Sequence, residues 1–144
     1  MSAPKIALAE SADEITRCFP VMHELRPHLQ AESFVSRVQE QRKEGFELAF
    51  LEADGEVRAL GGFRIMTNLA WGRFLYVDDL VTHAADRSKG YGEMLIQWLI
   101  ARARALGCEQ FHLDSGVQRF GAHRFYLSQR LDITCHHFGL DLRG

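Results

Sequence analysis

Nothing in this chain is apolar for long enough to cross a bilayer. The greasiest window, Met94 to Ala101, falls well short of the roughly 20 residues that a spanning helix needs. The N-terminal residues show no basic stretch followed by an apolar signal core, so the expected location is the cytoplasm. Seventeen basic residues against nineteen acidic ones give a formal charge of −2, which leaves no general basic field to hold nucleic acid or an anionic membrane. The three cysteines, Cys18, Cys108 and Cys135, are odd in number, widely spaced and without a Cys-x-x-Cys pair, and so read as reduced, structural thiols. Seven histidines do not form a ligand set. His23 and His28 are poorly spaced for one helix face, and His136 and His137 point to opposite faces of a strand, so no metal is expected. Internal repeats, low-complexity tracts and linkers are missing. So are the better-known nucleotide fingerprints: there is no Gly-x-x-x-x-Gly-Lys-Ser/Thr string, and no Gly-x-Gly-x-x-Gly after the N-terminal strand. ATP and NAD are disfavoured accordingly.

What is present is one domain's worth of core. A chain of 144 residues that is 47% hydrophobic can bury a real interior, and residues 1–144 read as a single domain. Lys5 to Ala9 can form a short strand, and Ser11 followed by Asp13 and Glu14 signals a helix N-cap. Pro20 should kink or split that helix. A second helical stretch runs from about Ala31 to Lys43, with Phe34, Val35 and Val38 as its apolar stripe and Gly45 placed to end it. Phe46–Glu52 and Val57–Ile65 read as a hairpin closed around Asp54-Gly55, and Arg73–Val81 extends the meander. A helix from near Glu93 carries Ile96, Leu99, Ile100, Ala103 and Leu106 on one face, with Gly107 at its C′ position. Gln110–Asp114 is then a strand lying parallel to the third run of the meander after a right-handed crossover. A helix from about Arg119 to Gln129 and a last strand, Ile133 to Leu140, complete an α/β order of β-α-α-β-β-β-α-β-α-β.

Between the strand ending at Val81 and the helix pattern lies Arg87-Ser88-Lys89-Gly90-Tyr91-Gly92. Glycines at 90 and 92 let backbone approach a ligand closely. The free N–H groups of a helix start, with Arg87 and Lys89 beside them, attract an anion. This strand–Arg-x-x-Gly-x-Gly–helix unit resembles the acetyl-CoA site of the Gcn5-related N-acetyltransferase (GNAT) superfamily, whose turn holds the coenzyme A pyrophosphate. The order of elements is similar to that family's mixed, mostly antiparallel sheet over nearly the whole chain. Acetyl-CoA is the co-substrate the resemblance implies. It also implies that the backbone of Leu80, Val81 and Thr82 pairs with the pantetheine arm like an added strand.

Acyl transfer from a thioester to an amine requires a neutral nucleophile, stabilisation of the carbonyl oxyanion and a proton for the leaving thiolate. Ala122-His-Arg-Phe-Tyr126 matches the family's Ala-x-x-Phe-Tyr segment, which makes Tyr126 the implied acid. Two departures stand nearby: Arg130-Leu131 where a Gly-Phe pair is usual, and Arg119 where an asparagine often touches the cofactor. Arg119 is then placed to reach a phosphate. Tyr76-Val-Asp78-Asp79 resembles the Tyr-x-Glu-Asp segment of polyamine-type members, which puts Asp78 in the position of the base. Strand alternation sends Asp78 and Asp79 to opposite sides unless a bulge intervenes. His83 and His123 lie near these segments and are further candidates to assist proton transfer. Glu24, Arg26, His28 and Phe34 fall where the resemblance puts the border of the acceptor pocket. The expected activity is acetyl transfer to a primary amine, carried by a small molecule or a peptide, by direct attack in a ternary complex. A non-catalytic acyl-CoA-binding module, an acetyltransferase acting on protein N-termini or lysines, and a homodimer all stay open.

Overall fold

The computed structural model describes residues 3–143. Their elements run β1 (Lys5–Leu8), α1 (Ala12–Leu25), α2 (Ala31–Arg42), β2 (Phe46–Ala53), β3 (Glu56–Asn68), β4 (Gly72–Thr82), a 3₁₀ turn (Ala84–Asp86), α3 (Tyr91–Ala105), β5 (Gln110–Leu113) and α4 (Phe120–Ser128). Backbone contacts gather into two compact units, one ending at Leu113 and the other beginning at Asp114. No helix of the described residues is long and apolar enough to cross a membrane.

The first unit is a five-stranded sheet in the order β1-β2-β3-β4-β5. Every pairing is antiparallel except β4 with β5, which is parallel as the crossover through α3 requires. Both faces of the sheet are covered. Phe46, Leu48, Phe50 and Leu60 pack on one side with Ile15, Cys18 and Met22 of α1 and with Phe34 and Val38 of α2. Ala49, Leu51, Phe63, Leu75 and Val77 pack on the other with Leu95, Leu99 and Ala103 of α3. This two-sided burial explains why β2 reads as an almost unbroken apolar run rather than an alternating one.

Local chemistry sets the helix ends. Ser11 and Glu14 form a reciprocal capping box at the start of α1, with the Glu14 N–H donating to Ser11 Oγ at 3.1 Å and the Ser11 N–H donating to Glu14 Oε1 at 3.0 Å. α1 runs through Pro20 as one helix, so of the expected kink or split the split does not occur. Pro20 sits on the exposed face, while the stripe of Ile15, Cys18 and Met22 holds the helix to the sheet. Burial pushes the Cys18 thiol up to about 12, which makes it an inert core group; Cys108 and Cys135 are also free. On α3 the buried stripe is Leu95, Ile96, Leu99 and Ala103. Leu106, expected on that stripe, is 38% exposed beyond the helix end.

In the second unit α4 is followed by irregular chain, and the strand expected at Ile133 to Leu140 does not form. Ile133 and Cys135 share one parity, whereas Phe138 and Leu140 share the other with Gly139 between them. A single strand would therefore split the apolar side chains between two faces and gain a buried face on neither. Ile133, Phe138 and Leu140 are all exposed.

Gly61 and Gly62 let β3 be approached closely from both sides. A Cβ at Gly61 would stand 3.0 Å from Leu99 Cδ1 of α3, and one at Gly62 would stand 2.7 Å from both Asp79 Oδ2 and Phe46 Cε1. Gly62→Ala should therefore force the Phe46 ring or the Asp79 carboxylate aside and lower stability by about 1–3 kcal/mol. Urea unfolding of the two proteins measures it, and equal midpoints would show that these neighbours yield without cost.

Candidate functional site

β4 changes character at Val77. Up to that residue its register with β3 is regular; then Gly62 faces Asp79 while Phe63 faces Val77, so Asp78 is the extra residue of a β-bulge. The bulge reverses side-chain parity. Before it Leu75 and Val77 face α3, and after it Val81 joins the cluster under α1 and α2. The condition attached to the sequence reading is thus met: a bulge intervenes, and Asp78 and Asp79 line the same cavity.

That cavity has a volume of about 520 Å³ and lies between the β4 bulge and helices α1 and α2. Met22, Phe34, Val38 and Phe46 supply apolar wall, while Tyr76, Asp78 and Asp79 come from the sheet. Both carboxylates are held by guanidinium groups. Arg26 Nε donates to Asp79 Oδ1 at 2.9 Å and its Nη2 donates to the Asp78 carbonyl at 3.0 Å. Arg64 Nε donates to Asp78 Oδ2 at 2.8 Å and its Nη2 donates to Gln41 Oε1 at 3.1 Å, tying β3 to α2. Burial raises the Asp79 pKa, with the Arg26 guanidinium drawing it back. Of the residues expected to border an acceptor pocket, Arg26, His28 and Phe34 do line the cavity. Glu24 is elsewhere: its Oε2 is 2.5 Å from His83 Nδ1 and its Oε1 accepts the Ala84 N–H at 2.9 Å, pinning the end of α1 to the end of β4.

The parallel pairing with β5 ends at Val77. Residues 78–82, including Leu80, Val81 and Thr82, therefore keep β3 as a neighbour but have no strand partner on the other side among the described residues. Their open backbone leads through the 3₁₀ turn to residues 87–92. Gly90 is the N-cap of α3 in the left-handed region at φ +84°, and Ser88 is also left-handed at φ +75°. No side chain caps α3, so the first N–H groups of the helix, those of Tyr91, Gly92 and Glu93, have no side-chain acceptor, and Glu93 is the acidic residue of that first turn. Arg87 and Ser88 are exposed, whereas Tyr91 packs on the core beneath α3. Lys89 Nζ lies 2.9 Å from Asp86 Oδ1 and Arg58 Nη1 lies 3.3 Å from Asp86 Oδ2. The buried Asp86 thereby anchors the turn from below.

In the second unit Tyr126 is half-buried on α4. Burial raises its phenol pKa, opposed by Arg119 beside it, so the hydroxyl keeps its proton at neutral pH. Arg119 is the N-cap residue of α4, and Ala122 is half-buried one turn on. His123 is occupied, its Nε2 donating to the Gly116 carbonyl at 2.8 Å.

Sequence reasoning placed Phe34 at the pocket but missed the other α2 residues of the cavity wall, Arg37, Val38 and Gln41, and Arg64 of β3, which holds Asp78. Phe34, Arg37, Val38 and Gln41 share one helix face by their three- and four-residue spacing, a signal read only for its apolar members. The Gly61-Gly62 pair in mid-strand was the available sign of a bulge or close approach. Arg64 carried no such sign.

Residues 9–130 match the Acetyltransferase (GNAT) family. The chain is 39% identical over 117 residues to the uncharacterized N-acetyltransferase YhdJ of Bacillus subtilis (strain 168), covering 81% of this chain and 82% of that protein. Among solved structures, AAC(6')-Iy in complex with the bisubstrate analogue CoA-S-monomethyl-acetylneamine superposes with a TM-score of 0.86 at 12% identity, over 99% of this chain and 100% of that one. Glucosamine-6-phosphate N-acetyltransferase from Arabidopsis thaliana gives a TM-score of 0.80 at 20% identity, over 98% and 99% of the two chains. At these identities the structural likeness establishes the fold.

The Lys89 ammonium, and after it the Arg58 guanidinium, hold the Asp86 carboxyl below the usual carboxylate range. A lowered folded pKa contributes stability that is present above the ordinary aspartate value and is lost as pH falls through the folded value. Wild type should therefore lose stability below about pH 4, and Asp86→Asn should flatten that part of the profile while lowering stability at pH 7. Thermal melts between pH 2.5 and 7 check both effects; parallel profiles for the two proteins would remove Asp86 from the acid response.

Proposed function

The chain belongs to the acetyltransferase (GNAT) family, an acyltransferase by that membership, and from it we propose acetyl transfer from acetyl-CoA to the primary amine of a small molecule, by direct attack in a ternary complex. The observation that carries this reading is the β4 edge left open beyond Val77, continuous with an uncapped helix start behind a left-handed Gly90. An extended amide-bearing arm can add to that edge as a strand would, Leu80, Val81 and Thr82 supplying the backbone partners. Its pyrophosphate then falls to the N–H groups of the 87–92 turn. A cavity of about 520 Å³ on the same stretch of β4 is within the range of small-molecule sites.

At pH 7 only about 0.1% of an amine with a pKa near 10 is neutral, so a proton must leave before attack. The carboxylate pair accepts it. Asp78 is the residue implied by the resemblance, and Asp79, raised by burial, has the basicity better matched to the task. The amine nitrogen attacks the thioester carbonyl carbon, and a β4 backbone N–H polarises the oxygen that becomes negative. The nitrogen, now positively charged, sheds its second proton to solvent as the carbon–sulfur bond breaks, and Tyr126 gives its proton to the departing thiolate, regaining one from solvent. The products are the N-acetylated amine, coenzyme A as thiol, and one proton released.

Binding is tested at Gly90, where valine would have to adopt a positive φ that β-branched residues avoid. Gly90→Val should reduce coenzyme A affinity by about tenfold or more in calorimetry. Equal affinities, or no binding to wild type, would remove the turn from the site.

Chemistry is tested by kinetics. Tyr126→Phe should lower kcat by about 10²-fold with coenzyme A affinity nearly intact, and Asp78→Asn or Asp79→Asn should lower kcat/KM by about 10- to 10³-fold and flatten its rise toward pH 9. An unchanged kcat in Tyr126→Phe, with chemistry shown to limit turnover, would return the ring to packing. Wild-type profiles in both aspartate variants would pass the base role to water.

A further inference from the structure

The charges on the cavity wall do not balance. Asp78 and Asp79 each have a guanidinium of their own, from Arg64 and Arg26, at 2.8 and 2.9 Å. Two other cationic or titratable groups line the same cavity, Arg37 and His28. Neither has a hydrogen bond or an ion pair among the described residues. Three guanidiniums thus face two carboxylates, and the unmatched one, Arg37, projects from α2 beside Phe34 and Gln41. A ligand that was only a cation would meet carboxylates already paired with guanidiniums and a further guanidinium, Arg37, on the same wall. That arrangement offers a bare cation no net attraction.

We propose that the acceptor carries, besides its primary amine, an anionic group that Arg37 binds. The amine end lies toward Asp78 and Asp79, and a carboxylate or phosphate lies toward α2. The planar fork of arginine suits either anion bidentately. The substrate class is an amino acid or a phosphorylated amine rather than a simple polyamine. This assignment rests on the acetyl-transfer reading and names the acceptor for that same cavity.

The experiment uses matched acceptors: α-amino acids against the amines left when the carboxylate is removed, and amino-sugar phosphates against the unphosphorylated amino sugars. Thiol release from acetyl-CoA gives kcat and KM for wild type, Arg37→Gln and Arg37→Lys. Arg37 is exposed on α2, so its replacement leaves the core intact. The anionic member of one series should be preferred by about tenfold or more in wild type, and the series that shows the preference identifies the anion as carboxylate or phosphate. Arg37→Gln should raise KM for that member by about tenfold with kcat nearly unchanged, raise no KM for the counterpart amine that lacks the anion, and be partly rescued by lysine. Equal use of both members by wild type, or an equal loss on both in Arg37→Gln, overturns the assignment. If no amine is acetylated, acetyl transfer to these acceptors fails, and equilibrium binding of the same pairs to the coenzyme A-loaded proteins still decides the role of Arg37. Tighter binding of the anionic member that disappears in Arg37→Gln supports it, and its absence refutes it.

Discussion

One extra residue in β4 organises the first unit. Without the bulge at Asp78, alternation would send one of the two aspartates into the apolar layer under α3, where Leu75, Val77, Leu95 and Leu99 pack and no cation is at hand. With it, both carboxylates turn to the α1 and α2 side, and Val81 returns to the core there. The bulge has its own requirement across the sheet, where Gly62 leaves room for the Asp79 carboxylate and the Phe46 ring. The pairing to β5 also ends at the bulge, so one irregularity marks both the carboxylate wall of the cavity and the start of the open edge.

The two arginines that hold these carboxylates set what the cavity can accept. Burying an acidic pair without partners is costly, and Arg26 and Arg64 offset that cost while fastening α1, β3 and α2 around the bulge. Their presence also changes the meaning of the aspartates. Two bare carboxylates would read as a trap for cations; two carboxylates each bonded to a guanidinium supply no such net attraction. The remaining charge on the wall then comes from α2.

The chemistry of the 87–92 turn depends on a different kind of support. Asp86 is buried beneath it and receives Arg58 from β3 and Lys89 from the turn itself, so the Lys89 ammonium shapes the loop as well as adding positive charge. The glycine at 90 then starts α3 in the left-handed region with its first N–H groups uncapped. Glu24, at the C-terminal end of α1, ties that helix to the same region by holding His83 and the Ala84 N–H.

Several features were legible in the residues alone because they are local. The Ser11–Glu14 cap, the Asp54-Gly55 turn, the glycines that end α2 and open α3, and the parallel return of β5 each follow from a few neighbours in sequence. The motif of Arg87 to Gly92 did so as well. That Pro20 leaves α1 unsplit depends on which face of the helix meets water, and the last strand was misjudged because Ile133 and Cys135 share no parity with Phe138 and Leu140. By itself the sequence determined the order of elements as far as α4 and the glycine turn that opens α3, since periodicity, caps and glycine conformations act within a few residues. Only the tertiary structure decided that both aspartates enter one cavity, that Arg26 and Arg64 claim them, and that Arg37 is left over. Those outcomes turn on register and charge pairing between residues dozens of positions apart, which no local pattern encodes.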